Sequence, residues 1–307
     1  MIAASAPNLA ELVAAQLHVF PSHESYLRRR FHGLSDDDLA FCEVLAGLLR
    51  HICGGNLSLM CEDYRWLAAA VLEEELYFRR HGRYRLATFQ QARDQIYDDP
   101  TYMRRYMSGV LATQLWWRNH TDVLKFYRDR YLASFARPVA HLEVGPGHGL
   151  FLYLAARAER FSSLSGYDVS AASIEASRRC LGAIGVEQDV RLECVDLLAA
   201  PSGAFGSITF SEVLEHLEDP LGALRRLKEM LEPGGRIFVN APVNSPAPDH
   251  IYIFRTPEEV VSMVEESGLE VVDTFLAPVS GASLQDARRR RITISTVVVA
   301  RRPELPT

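Results

Sequence analysis

The segment His141-Leu-Glu-Val-Gly-Pro-Gly-His-Gly149 sets an acid two residues ahead of three glycines that alternate with other residues. Gly145, Gly147 and Gly149 let a chain bend tightly and bring bare backbone against a ligand. A carboxylate at Glu143 would repel a pyrophosphate and attract a cation. The spacing also departs from the G-x-G-x-x-G that holds dinucleotide phosphates on a helix N-terminus. Two further acids stand where the rest of a nucleoside would need them. Asp168, followed by Val169 in Gly166-Tyr-Asp-Val-Ser170, can accept both hydroxyls of a ribose. Asp196, in Cys194-Val-Asp-Leu-Leu198, can accept an adenine amino group, with Leu197 beside it as apolar face and backbone donor. A nicotinamide dinucleotide wants the same ribose acid, and Asp196 reads equally well as a solvated loop acid. S-adenosylmethionine carries an ammonium and a sulfonium and no phosphate, so the charge pattern favours it.

These residues need a sheet edge to hold them. From Arg137-Pro138 onward strands alternate with helices, the mark of a parallel sheet covered on both faces. The expected strands are 139–144, 164–168, 190–194, 207–210 and 236–239, with helices starting near Gly149, Ser170, Pro220 and Thr256. Two more strands, 269–276 and 291–300, have no helical pattern between them and can pair antiparallel. Glycines and acids then fall at the C-terminal strand ends, where open α/β sheets bind ligands.

Residues before about Phe135 read as helical throughout. Asn8 can cap a helix carrying Leu9, Leu12, Val13 and Leu17, and Ser35 with three aspartates after it starts another. Leu67–Phe78 continues the pattern to a stop at His81-Gly82, and helices over 100–118 and 121–134 follow. The arginine runs Arg28–Arg30 and Arg288–Arg291 read as solvated faces.

With 307 residues the chain exceeds a typical single core, and 48% hydrophobic and 23% charged residues are ordinary for a globular protein. A net charge of −6 argues against a surface built to hold nucleic acid. Cys42, Cys53, Cys61, Cys180 and Cys194 show no metal-ligand spacing and suit a reducing cytoplasm. No stretch approaches the ~20 apolar residues of a membrane span.

Glu143-Val-Gly-Pro-Gly-His-Gly149, Tyr167-Asp168, Val195-Asp196, Ser211-Glu-Val-Leu-Glu-His-Leu-Glu-Asp-Pro220 and Leu231-Glu-Pro-Gly-Gly-Arg236 together resemble the class I S-adenosylmethionine-dependent methyltransferases. Within them the resemblance is to the branch of ubiquinone-pathway and natural-product enzymes, and it covers about Val139 to Arg302. It implies an α/β fold: a Rossmann-like, seven-stranded, mostly parallel sheet with an antiparallel last strand. An N-terminal all-helical cap over 1–136 would adjoin the cofactor domain over 137–307. The resemblance also implies that Ser211 and Glu212 line the cofactor.

Methyl transfer from a sulfonium is an in-line displacement that needs no metal, so none is expected. It calls for a base only when the nucleophile must lose a proton. His216 and His250 are the candidate bases, each balanced by a purely structural reading. Glu212 and Glu215 can hold backbone amides or orient His216. The proline-stiffened loop Asn240-Ala-Pro-Val-Asn-Ser-Pro-Ala-Pro-Asp-His250 offers Asn240 and Asn244 to a substrate. From the helical region Trp117, His120 and Tyr127 are candidate acceptor contacts, although aromatics at helical spacing are more often core. The expected acceptor is a small, aromatic or polycyclic molecule methylated at O, N or C. Neither nucleic acid nor membrane is an expected partner, and a homodimer is left open. An RNA or protein methyltransferase and a nicotinamide-dependent oxidoreductase are the rival readings.

Overall fold

The computed structural model describes residues 5–186, 190–200, 204–279 and 281–304. The region before β1 is helical: α1 (Pro7–Val19), α2 (Glu24–Arg30), α3 (Asp36–Ile52), α4 (Leu57–His81), the short α5 (Phe89–Ala92), α6 (Pro100–Trp116) and α7 (Arg118–Phe126). A π-helical turn (Arg93–Tyr97) follows α5, and another (Tyr127–Tyr131) extends α7 toward the sheet. Ser35 caps α3 by accepting the Asp38 amide, and three aspartates fill its first turn, favoured by the helix dipole. Gly82, in the left-handed conformation at φ 68°, ends α4. Asn8 does not cap α1. The helix starts at Pro7, and the Asn8 backbone and side-chain amides both donate to Glu43 Oε1, at 3.0 and 2.7 Å. The first arginine run is not wholly solvated either. Arg30 is buried, with Nη2 on Thr121 Oγ1 at 2.8 Å and Nε on the Leu115 carbonyl at 3.2 Å.

The remaining chain alternates: β1 (Val139–Val144), α8 (Leu150–Arg157), β2 (Phe161–Asp168), α9 (Ala171–Ala183), β3 (Val190–Cys194), β4 (Phe205–Ser211), α10 (Pro220–Met230), β5 (Leu231–Val243), α11 (Pro257–Glu266), β6 (Glu270–Pro278), α12 (Leu284–Arg290) and β7 (Ile294–Arg301). The described strands form one seven-stranded sheet in the order β3-β2-β1-β4-β5-β7-β6, with β7 antiparallel to both neighbours. The order reverses between β1 and β4, which opens a crevice at their C-terminal ends. The expected fold is therefore present, with one correction. A helix, α12, does lie between the last two strands, capped by Ser283 on the Asp286 amide. It is seven residues long with only Ala287 buried, so it carries no amphipathic stripe.

Helical region and sheet share a core. Tyr127, Tyr131 and Phe135 pack with Phe151 on α8 and Phe238 on β5, in one cluster with Leu45, Leu115 and Trp116. Within it the Tyr131 hydroxyl meets Ser207 Oγ at 2.9 Å and the Ile208 and Arg236 carbonyls at 3.0 Å each. Removing it leaves buried strand carbonyls with one partner fewer. We expect Tyr131→Phe to lower the free energy of urea unfolding by about 1–3 kcal/mol. An unchanged midpoint would show that this link contributes nothing. Among the described residues no single helix is long and apolar enough to cross a membrane.

Candidate active site

A cavity of about 1060 Å³ lies between the C-terminal edge of the sheet and α6–α7. Ligand pockets typically span roughly 300–1,000 Å³, so it has room for a nucleoside cofactor and an acceptor together.

The glycine bend forms its floor. Gly145, Gly147 and Gly149 all have positive φ, at 72°, 48° and 73°. A Cβ on Gly145 would fall 2.6 Å from Val213 Cγ2, while one on Gly147 would meet Met107 Cε of α6 at 3.5 Å. The bend is thus closed on one side by the segment after β4 and covered by a helix from the N-terminal region. His148, which its place in the glycine motif does not mark as a site residue, lines the cavity and accepts the Leu150 amide on Nδ1 at 3.2 Å. Burial brings its pKa down to about 4, so it is neutral at physiological pH.

Glu143, next to last in β1, is 2% exposed, and its Oε2 has no hydrogen-bond partner among the described residues. Burial pushes its pKa well above the ordinary carboxylate range. A buried carboxyl with one oxygen unsatisfied at a cavity wall is the complement of a cationic ligand. Asp168 accepts the Ser170 amide and the Ser173 hydroxyl, both at 2.7 Å, which fixes its carboxylate at the head of α9. Asp196 holds the Leu198 amide at 2.9 Å. Val169, Leu197, Ser211 and Glu212 line the cavity with them. Glu212 sits at φ 55°, a conformation that non-glycine residues seldom adopt, and its amide donates to the Asn240 carbonyl at 2.8 Å. Its Oε1 accepts from Asn240 Nδ2 at 2.8 Å, and burial lifts its pKa to about 7.

The segment after β4 and the loop after β5 meet at the opposite end. Glu215 is fully buried, neither side-chain oxygen has a hydrogen-bond partner among the described residues, and burial with the nearby Glu212 pushes its pKa well above the ordinary carboxylate range. Its backbone carbonyl instead accepts the Ile251 and Tyr252 amides, at 2.9 Å each. His216 Nε2 lies 3.9 Å and His250 Nε2 4.0 Å from Glu215 Oε1, with the two rings edge to face at 4.9 Å. His250 donates Nδ1–H to the Ser245 carbonyl at 2.6 Å, and burial lowers its pKa to about 4. Its Nε2 therefore keeps a lone pair. Ligand atoms of Glu215, His216 and His250 all lie within 4.8 Å of one another, a set that the expectation of a metal-free site did not anticipate.

Of the acceptor candidates, Asn240, Trp117 and His120 line the cavity. His120 meets Thr113 Oγ1 at 2.9 Å and Gln114 Nε2 at 3.2 Å through Nδ1, and burial holds its pKa near 3. Asn244 and Tyr127 do not line it. Asn244, at φ 47°, turns inward to bond the Arg255 carbonyl at 2.8 Å, as asparagines in turns do. Tyr127 is fully buried in the core between helices and sheet, its hydroxyl accepting from Thr209 at 3.0 Å. Its position beside the sheet, not its aromatic ring, decides that role. Asp249, Tyr97 and Tyr106 also reach the site. None of the three is a site candidate from the sequence, where nothing relates residues more than a hundred positions apart.

A switch-point crevice with a glycine bend, an acid ahead of it and acids at the next two strand ends defines a nucleoside-binding domain suited to a cationic cofactor. A family model described as a methyltransferase domain matches residues 116–274. The chain belongs to that family, and it is an S-adenosylmethionine-dependent methyltransferase of class I. A ubiquinone biosynthesis O-methyltransferase of Xanthomonas axonopodis pv. citri is 26% identical over 202 residues, 57% of this chain and 82% of the relative. Another with that name, from Dinoroseobacter shibae, is 28% identical over 43% of this chain and 60% of its own length. The crystal structure of the mitomycin 7-O-methyltransferase MmcR shares the fold, with a TM-score of 0.53 over 80% of this chain and 70% of that one, at 17% identity.

Proposed function

We propose that the chain transfers the cofactor's methyl group to a hydroxyl oxygen of a small aromatic or polycyclic molecule. The observation that carries this reading is the convergence of the Glu215 carboxylate with the Nε2 atoms of His216 and His250 at one point of the cavity wall. Burial and the neighbouring Glu212 hold the Glu215 carboxyl well above its ordinary pKa, and the two Nε2 lone pairs beside it, which only accept, repel one another when they converge without water. They call for a hydrogen or a cation brought by the ligand. A hydroxyl supplies the hydrogen. Its oxygen must shed that proton as it attacks the sulfonium methyl, and a neutral imidazole at hydrogen-bond range can take it. The rest of the work is alignment, with Glu143, Asp168 and Asp196 holding the donor and the triad holding the nucleophile.

Oxygen is favoured over nitrogen and carbon by the names of the relatives, which are O-methyltransferases. Leu67, Val71, Met103, Val110 and Trp117 give the acceptor side an apolar wall, which suits a ring system. Arg93 is the one arginine on the lining, and no lysine is there among the described residues, which disfavours RNA. In this reading 137–307 holds the cofactor, and the helices of 1–136 cover the acceptor. Incubation with methyl-labelled cofactor and a panel of phenols, catechols, amines and RNA tests it. The expected product is a methyl ether. Label appearing only on nitrogen, on carbon or in RNA would sink the proposal.

Glu215, His216 and His250 also fit a divalent cation. They offer one carboxylate and two imidazoles, and each Nδ1 faces a carbonyl oxygen, the outer partner that typically fixes a ligating histidine. A divalent cation held there would make a bound hydroxyl more acidic. We expect calorimetry with manganese(II) alone to show a single saturable binding event that Glu215→Gln abolishes. Heat that survives that substitution would place the metal elsewhere.

A further inference from the structure

One buried carboxylate ties the acceptor triad to the helical region. Asp249, on the loop after β5, is 3% exposed, and phenols take both its oxygens. Tyr106 Oη donates to Oδ1 at 2.6 Å and Tyr97 Oη donates to Oδ2 at 3.2 Å. Tyr106 lies on α6, and Tyr97 closes the π-helical turn ahead of it. Having given its only hydrogen to Asp249, the Tyr97 oxygen can only accept, and His216 Nδ1 stands 3.2 Å away. The Asp249 backbone carbonyl, also purely an acceptor, is 3.2 Å from the same nitrogen. Asp249 Oδ2 itself lies 3.5 Å from that nitrogen, and three acceptors around one ring nitrogen require it to carry the hydrogen. Nε2 is then left with its lone pair on the Glu215 side.

We propose that Asp249, clamped by Tyr97 and Tyr106, is a positioning residue that fixes His216 in its Nδ1–H form and so aims the Nε2 lone pair at the acceptor. The proposal rests on His216 serving the acceptor, as argued above. Asp249 acts by directing a phenol and through its own Oδ2 beside Nδ1. An amide in its place would free Tyr97 O–H to turn toward Nδ1 and would add an N–H donor of its own beside that nitrogen. Both changes draw the ring hydrogen to Nε2, where it blocks proton acceptance and metal ligation alike. Burying an ionised carboxylate is costly unless it is fully bonded. The two tyrosines supply those bonds from outside the sheet. The cofactor acids Glu143, Asp168 and Asp196 all belong to strand ends or the loops after them, whereas the acceptor half is completed by helices α6 and its preceding turn.

Long-range proton–nitrogen NMR of protein carrying isotope-labelled histidine reports which ring nitrogen bears the hydrogen. Wild type and Tyr97→Phe are expected to keep His216 as Nδ1–H, because the Asp249 carbonyl and Oδ2 both remain as acceptors and no donor is added beside the ring. Asp249→Asn is expected to shift it to Nε2–H and to lower turnover of a catechol probe about 10–100-fold. Tyr106→Phe touches Asp249 and not His216, yet should move both readouts the same way by less. Added to Asp249→Asn, it should cost nothing further, since the two act through one path. S-adenosylhomocysteine affinity, read by calorimetry, should hold throughout. An unmoved His216 spectrum in Asp249→Asn overturns the proposal, and so do additive losses or cofactor affinity falling in step with turnover. Should Asp249→Asn fail to fold, the Tyr106→Phe spectrum decides alone. Wild-type turnover in His216→Ala would instead overturn the acceptor reading, while the spectra still judge the clamp.

Discussion

Replacing His216 by Ala is expected to lower turnover by about 100- to 10,000-fold, the usual contribution of a positioned acid or base, while S-adenosylhomocysteine binds as before. His216 Nε2 faces Glu215, not the glycine bend, so no anchor of the cofactor is lost. Glu215→Gln should fall in the same range for a different reason. It keeps the shape but replaces a buried carboxyl, pushed well above the ordinary carboxylate range by burial and the nearby Glu212, with an amide that can neither release a proton nor ligate as a carboxylate. Single-turnover kinetics with a catechol probe separates the chemical step from product release, and the loss is expected in the chemical step. Some methylation should persist, because alignment of donor and nucleophile alone is worth several kcal/mol. Unchanged single-turnover rates in both variants would mean that alignment does everything and that the triad is structural.

Glu143→Gln should weaken cofactor binding by about 2–5 kcal/mol, the cost of removing one partner of a buried charge pair, or roughly thirty-fold and upward in Kd. The carboxyl is raised well above its ordinary range by burial in the free protein. A cation beside it favours the carboxylate, so binding lowers that pKa and releases a proton. Affinity should therefore climb as pH rises toward the raised pKa of the free form and level off above it. The Gln variant should show no such climb. Calorimetry in buffers of different ionisation enthalpy measures the proton release directly. Stability has the opposite sign. The folded, cofactor-free state holds its proton more tightly than the unfolded chain, so wild type loses stability as pH rises above the unfolded value. Without cofactor at neutral pH, Glu143→Gln should melt above wild type. A variant that binds S-adenosylhomocysteine like wild type would remove Glu143 from the cofactor site.

Legibility in the sequence followed the range of the interaction. Hydrophobic period, caps and glycines act within a few residues, so the strands, the Ser35 and Gly82 helix ends and the glycine bend could all be read directly. Glu143, Asp168 and Asp196 were equally readable, because each lies at or just past a strand end and strand ends share one edge of a parallel sheet. The extra helix α12 escaped because seven residues burying a single alanine leave no periodic trace.

Tertiary structure alone decided which polar side chains meet. Asn240 and Asn244 are four residues apart in one loop, yet one lines the cavity and the other bonds a backbone carbonyl, because a left-handed turn at Asn244 redirects it. Tyr127 and Tyr106 are both buried tyrosines of the helical region, but one packs on the sheet and the other donates to Asp249. The sequence by itself determined the sheet, the bend and the charge of the cofactor, since those follow from local backbone geometry and residue type. The triad of Glu215, His216 and His250, and the tyrosines behind it, exist only once β4 and β5 lie side by side under the helices. Convergence in space is a property of packing and leaves no spacing rule along the chain.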